Sequence, residues 1–174
     1  MIVFKGKDKS GYNGTIVSFI VKEGSWNDPK MMAVFEQMTR EVAPKLGGFP
    51  VEVRLLNKDR DVEKESVVGK ADISGGGDHI YYFGNASDAD AHALGLALTK
   101  AGFLEGKGFN VFLWKQPEGT TIGFVVSAGA WDDAAIVADF ERIVKQAAPS
   151  VGGLPVHLRL MNGQMETKKD EVVQ

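Results

Sequence analysis

Residues 14–57 read GTIVSFIVKEGSWNDPKMMAVFEQMTREVAPKLGGFPVEVRLLN, and residues 119–162 read GTTIGFVVSAGAWDDAAIVADFERIVKQAAPSVGGLPVHLRLMN. The two stretches align without a gap, 105 positions apart, and keep Trp26/Trp131, Phe35/Phe140, Gly47-Gly48/Gly152-Gly153, Arg54-Leu55/Arg159-Leu160 and Asn57/Asn162 in step. The match runs on to Val67-Val68 and Val172-Val173. Solenoid repeats span about 20–50 residues, so a repeat of this length is a duplicated fold unit.

Period and punctuation place the elements of the second copy. His79–Phe83 is a short β-like run closed by Gly84-Asn85, and Ser87-Asp-Ala-Asp90 has the form of a capping box that opens a helix. Ala91, Leu94, Leu98 and Ala101 fall on one helical face up to Gly102. Phe109–Trp114 and Thr120–Val126 are β-rich runs on either side of a turn-forming stretch. A second helix is predicted from about Asp133, with Ile136, Phe140, Ile143 and Ala147 in helical register, and Pro155–Met161 alternates as a last strand.

This βαββαβ order is that of the split βαβ, ferredoxin-like arrangement, an α+β fold with both helices on one sheet face. The expected architecture is therefore tandem ferredoxin-like units. Residues 1–68 form an incomplete unit without its opening strand and helix, 69–78 a linker, and 79–174 a complete unit. In that fold the missing strand is central, so its loss leaves ladder groups in need of a partner. A rearranged strand order, insertion of Ser66–Ile73, pairing with the second unit, or a strand from another chain would each supply one. The strand runs Val17/Phe19/Val21 and Ile122/Phe124/Val126 alternate with residues that are not consistently polar, which predicts sheets covered on both faces.

With 174 residues, 44% of them apolar, the chain can bury a substantial core. The net charge of −3 comes from interspersed acids and bases and argues against a polyanion-binding surface. There is no cysteine, which excludes disulfides, thiol nucleophiles and Cys-ligated metals. The first residues lack the apolar run of a signal peptide, and no segment has the roughly 18 apolar residues of a membrane span, so the chain reads as a cytoplasmic, soluble protein.

The constellation present in both copies and not plainly core is Trp26-Asn27-Asp28 with Trp131-Asp132-Asp133. An indole beside a carboxylate could line a ligand site. The stronger reading makes Asp28 and Asp133 helix caps and the tryptophans packing residues. Arg54 and Arg159 occupy matching strand positions and could hold an anion, or pair with a local acid such as Glu52. His79, His92 and His157 have no metal-ligand spacing. Ser74–Asp78 could form an anion nest, but reads as a connector.

Two resemblances add to this. Ile80–Asn85 resembles the RNP2 strand of an RNA recognition motif and Ile122–Val126 its RNP1 strand; the resemblance implies base stacking on Tyr81 or Tyr82 and on Phe124. Thr120-Thr-Ile122 departs from the Lys/Arg-Gly-aromatic opening of RNP1. Ala91–Leu98, Gly102-Phe103, Ser127–Asp133 and Val151–Leu160 resemble an uncharacterised duplicated soluble domain of bacterial proteins, sometimes attached to membrane peptidases. That resemblance implies an accessory or interaction module.

The leading reading is a non-enzymatic module that binds a protein partner or a second copy. The alternative is a small-molecule-binding module with a cleft between the units; the third is single-stranded RNA binding. No nucleophile–base pair, metal cluster or cofactor fingerprint is present to suggest an enzyme, a metal or a cofactor.

Overall fold

A computed structural model describes residues 1–7, 13–73 and 77–174, which hold nine strands and three α-helices in a mixed α/β chain. Two compact units divide it, Met1–Gly69 with Phe83–Asn85, and Lys70–Tyr82 with Ala86–Gln174.

Unit 1 contains β1 (Ile2–Lys7), β2 (Asn13–Ile20), α1 (Pro29–Val42), β3 (Val51–Leu56) and most of β4 (Val62–Ile73). Asp28 caps α1, its carboxylate accepting the Lys30 N–H at 2.9 Å, and Pro29 supplies the preset φ of a first turn. The helix ends in a short 3-10 turn over Ala43–Leu46, closed by Gly47 at φ +106°, a conformation glycine adopts without steric cost. β1 pairs antiparallel with β2, β2 parallel with β3, and β3 antiparallel with β4. Alternate residues of the sheet face α1: Phe19 meets Phe35 at 4.3 Å between ring centroids, and Ser66 meets Glu36.

Unit 2 holds most of β5 (Asp78–Gly84), then α2 (Asp88–Lys100), β6 (Asn110–Gln116), β7 (Gly119–Val125), α3 (Ala134–Ala147), β8 (Val156–Met161) and β9 (Thr167–Val173). The pairing β6/β7 antiparallel, β7/β8 parallel, β8/β9 antiparallel repeats that of β1 to β4, down to a register shift at Leu160/Met161 matching the one at Leu55/Leu56. β5 adds a strand on the outer side of β6. Its start meets the start of β6, where the His79 N–H donates to the Phe109 carbonyl at 2.8 Å and Tyr81 stacks on Phe112, the sense of a parallel pair. α2 packs against α3, and Phe124 and Phe140 meet under them as Phe19 and Phe35 do in unit 1.

The strand order differs from the ferredoxin-like expectation. There the opening strand of the unit would separate the third from the fourth; instead β7 and β8 hydrogen-bond directly, in parallel, with α3 crossing over between neighbours. The physical unit of repetition is ββαββ, complete in both copies. β2 and β3 satisfy each other, and no central strand is missing from unit 1. Residues 69–73, expected in a linker, are the end of β4; Ser74–Gly76, expected as a connector with an anion nest as the alternative, lie outside the described residues. Among the described residues unit 1 has no counterpart of β5 and α2.

Candidate functional site

The paired Trp-Asp motifs act as helix starts. Asp133 accepts from the Ala135 and Ile136 N–H groups at 2.9 and 3.2 Å, as Asp28 does from Lys30, and both tryptophans are half-buried beside these caps. Their carboxylates are thus occupied by backbone donors. The two arginines hold local acids. Arg54 pairs with Glu52, and Arg159 grips Asp170 through Nε at 2.8 Å and Nη2 at 2.7 Å while His157 Nδ1 lies 2.9 Å from the same carboxylate. The Arg159 guanidinium also lies 5.2 Å from the Trp114 ring centre. Gly123 makes room for this, since a Cβ there would stand 2.7 Å from Trp114 Cζ3 and 3.0 Å from Met161 Cε.

The base-stacking residues implied by the RNA-motif resemblance are not gathered on one open surface. Phe124 is 1% exposed and packs edge-on against Phe103 on the helix side of the sheet, and Tyr82 is buried. Tyr81 alone of the three is half-exposed, with its ring on Phe112. Among the described residues no group of three or more His, Asp or Glu side chains is arranged to hold a metal ion, and no helix is long and apolar enough to cross a membrane.

Two polar arrangements were not read from the sequence. In unit 2, Asp78 is buried and accepts the Gly106, Gly108 and Phe109 N–H groups at 2.6–2.8 Å. Burial pushes its carboxyl up, but the backbone donors outweigh this and hold it below the usual carboxylate range. In unit 1, Glu36 is 2% exposed and accepts the Ser66 hydroxyl, which in turn accepts the Gly84 N–H at 3.1 Å. Burial pushes the Glu36 carboxyl up to about 7 against the pull of Ser66 and of Lys64. Thr39, one turn on, is fully buried, and its hydroxyl has no partner among the described residues. The counterparts in unit 2 are Glu141, Val144 and Glu171, so the second copy does not repeat this cluster.

The largest contrast between the copies lies at β1. Ile2, Val3, Phe4 and Lys5 stand opposite Ser18, Val17, Ile16 and Thr15, and Phe112, Leu113, Trp114 and Lys115 stand opposite Gly123, Ile122, Thr121 and Thr120. The strands are therefore equivalent residue by residue. Met1, Ile2 and Val3 are 72%, 44% and 38% exposed, whereas Val111, Phe112 and Leu113 are 0–1% exposed. β6 is shielded by β5 and α2. Among the described residues β1 pairs with β2 alone, so alternate N–H and C=O groups along its other edge face outward beside apolar side chains. On α1, Met38 is exposed where its counterpart Ile143 on α3 is half-buried.

An apolar strand with a free edge can add a strand from another polypeptide, the backbone supplying affinity and the side chains register. Compared with protein-family models, curated proteins and solved structures, the chain matches none of them, so its own two copies are the reference against which this edge is judged.

Proposed function

We propose that this chain is a non-enzymatic protein-interaction module whose contact element is the free edge of β1. The observation that supports this reading is the exposure of Met1 to Phe4 at positions whose counterparts in the second copy are core or sheet interior. Natural sheets blunt their edges with charge, proline or bulges, and an apolar edge that is not blunted is a template for pairing. Here Lys5 and Lys7 lie at one end only, and the run before them is continuously apolar.

The test is to select strand-forming peptides from a random display library on the whole chain, and then measure their binding to the wild type and to Val3→Asp. Val3 is on an edge and partly exposed, so the change leaves β2 and α1 in place. Selected peptides should bind the wild type, slow hydrogen exchange at residues 2–5, and lose affinity for Val3→Asp. Peptides that bind both forms equally, with β1 exchange unchanged, would refute the assignment.

A further inference from the structure

A free strand edge alone does not specify its partner, but the covered strand β6 of the second copy does. We infer that the β1 edge takes a strand–helix segment of the β5–α2 kind from a partner polypeptide, with Lys5 receiving a carboxylate from the first turn of the partner's helix. This inference rests on the proposed interaction function.

Charge complementarity carries it. In unit 2 the Lys115 ammonium lies 2.7 Å from Asp90 Oδ1. Asp90 is the third residue of α2 and closes its capping box, its other oxygen accepting the Ser87 N–H and hydroxyl at 2.9 and 2.8 Å. Burial pushes the Asp90 carboxyl up, but the Lys115 and Ser87 contacts outweigh it and hold the group below the usual range. Lys115 thus ties the covering segment to the strand it covers. Its equivalent in unit 1 is Lys5, and among the described residues no carboxylate lies within salt-bridge distance of Lys5. Among its described residues unit 1 keeps the cation and has no acid beside it.

The apolar contacts agree with this. Over Phe112, the counterpart of Ile2, lies the Tyr81 ring at 5.5 Å between centroids. Leu94 and Leu98 of α2 are fully buried on the helix side, the side that Leu113, the counterpart of Val3, faces. The partner segment is therefore specified as a strand parallel to β1 with an aromatic residue to cover Ile2. It continues into a helix with Asp or Glu as its third residue and two leucine-like residues one turn apart.

The segment that already meets this description is residues 78–110 of the chain itself, and it is the probe. Since Met1 matches Val111, a copy of residues 78–110 is joined directly ahead of Met1 in the full chain. Hydrogen exchange is then followed at residues 2–5. Exchange there should slow by at least about tenfold relative to the chain without the extension. Lys5→Ala should undo part of that protection only when the extension is present and carries its copy of Asp90. The same substitution should have no effect once that aspartate is changed to alanine. An extension bearing Tyr81→Asp is the control for non-specific shielding.

Unchanged β1 exchange in the extended chain overturns the inference, as does protection indifferent to both Lys5 and the added aspartate. If library peptides still pair with β1 in that case, strand addition stands and only the strand–helix partner falls. If neither protects β1, the interaction reading falls as well.

Discussion

Replacing Glu36 by Gln should stabilise the protein at neutral pH and leave it nearly unchanged in mild acid. In the fold the carboxyl is pushed up from 4.5 to about 7 by burial, so between these values the folded chain holds a proton that the unfolded chain releases. The unfolded state then binds fewer protons, and stability falls as pH rises through this window. At about 1.36 kcal/mol per unit, the loss is about 3 kcal/mol once pH passes the folded value. Glutamine keeps a carbonyl to accept the Ser66 hydroxyl and carries no charge to desolvate. Urea unfolding of both forms at steps from about pH 5 to about pH 8 should therefore give curves that start together and separate, with the variant flat and the wild type declining. Parallel curves across that range would refute the burial argument. A variant less stable than wild type at every pH would mean instead that the acid proton makes a contact the amide cannot replace.

Asp78→Asn should destabilise unit 2 by about 1–3 kcal/mol at neutral pH, read by thermal melting, because three backbone donors lose a charged acceptor. As the folded carboxyl is held below 3.8, its contribution is present above that pH and is lost as pH falls through the folded value, so wild type and variant should converge in acid. Asp133→Ala removes a cap that satisfies two N–H groups and should cost about 0.5–2 kcal/mol in urea unfolding. Gly123→Ala should cost about 1–3 kcal/mol and shift the near-ultraviolet circular dichroism of Trp114, since the new methyl meets the indole at 2.7 Å; an unchanged spectrum would show that the ring yields freely. Phe35→Ala and Phe140→Ala should each cost about 3 kcal/mol, the low end for aromatic truncation because both rings are half-buried, and a large difference between them would deny the copies a common core.

Local patterns in the sequence were enough to find most elements. Asp28-Pro29 and Ser87 to Asp90 announce helix starts by side-chain chemistry within a few residues, and the gapless repeat carried each element to its counterpart. Strand order is different in kind, because it depends on which edges meet across a helix, and β2–α1–β3 has the same period whether its strands are neighbours or not. Gly69, Lys70 and Asp72 made the end of β4 resemble a connector, although alternation of Val68, Lys70 and Asp72 with Gly69, Ala71 and Ile73 is also that of a strand. The match of Lys5 to Lys115 is hidden in the sequence because the chain between Lys5 and Gly14 is five residues longer than that between Lys115 and Gly119, which breaks the constant offset before Gly14. Carrying the alignment across that gap sets Phe4-Lys5 on Trp114-Lys115. The Glu36 cluster gave no signal, since a glutamate and a threonine three apart on a helix ordinarily mark its wet side.

In both units, each strand of the repeated ββαββ motif pairs with the strand that precedes it in the chain. During synthesis, then, every new strand of the motif emerges to find its neighbour already made, and none has to be threaded between two that have closed on each other. The sheet of each unit can grow by accretion at the pace of translation, with only one short loop or one helix to close at each step. By Leu56 the chain holds everything needed for β1, β2, α1 and β3, and the edge left open for the next strand belongs to β3, the strand made last.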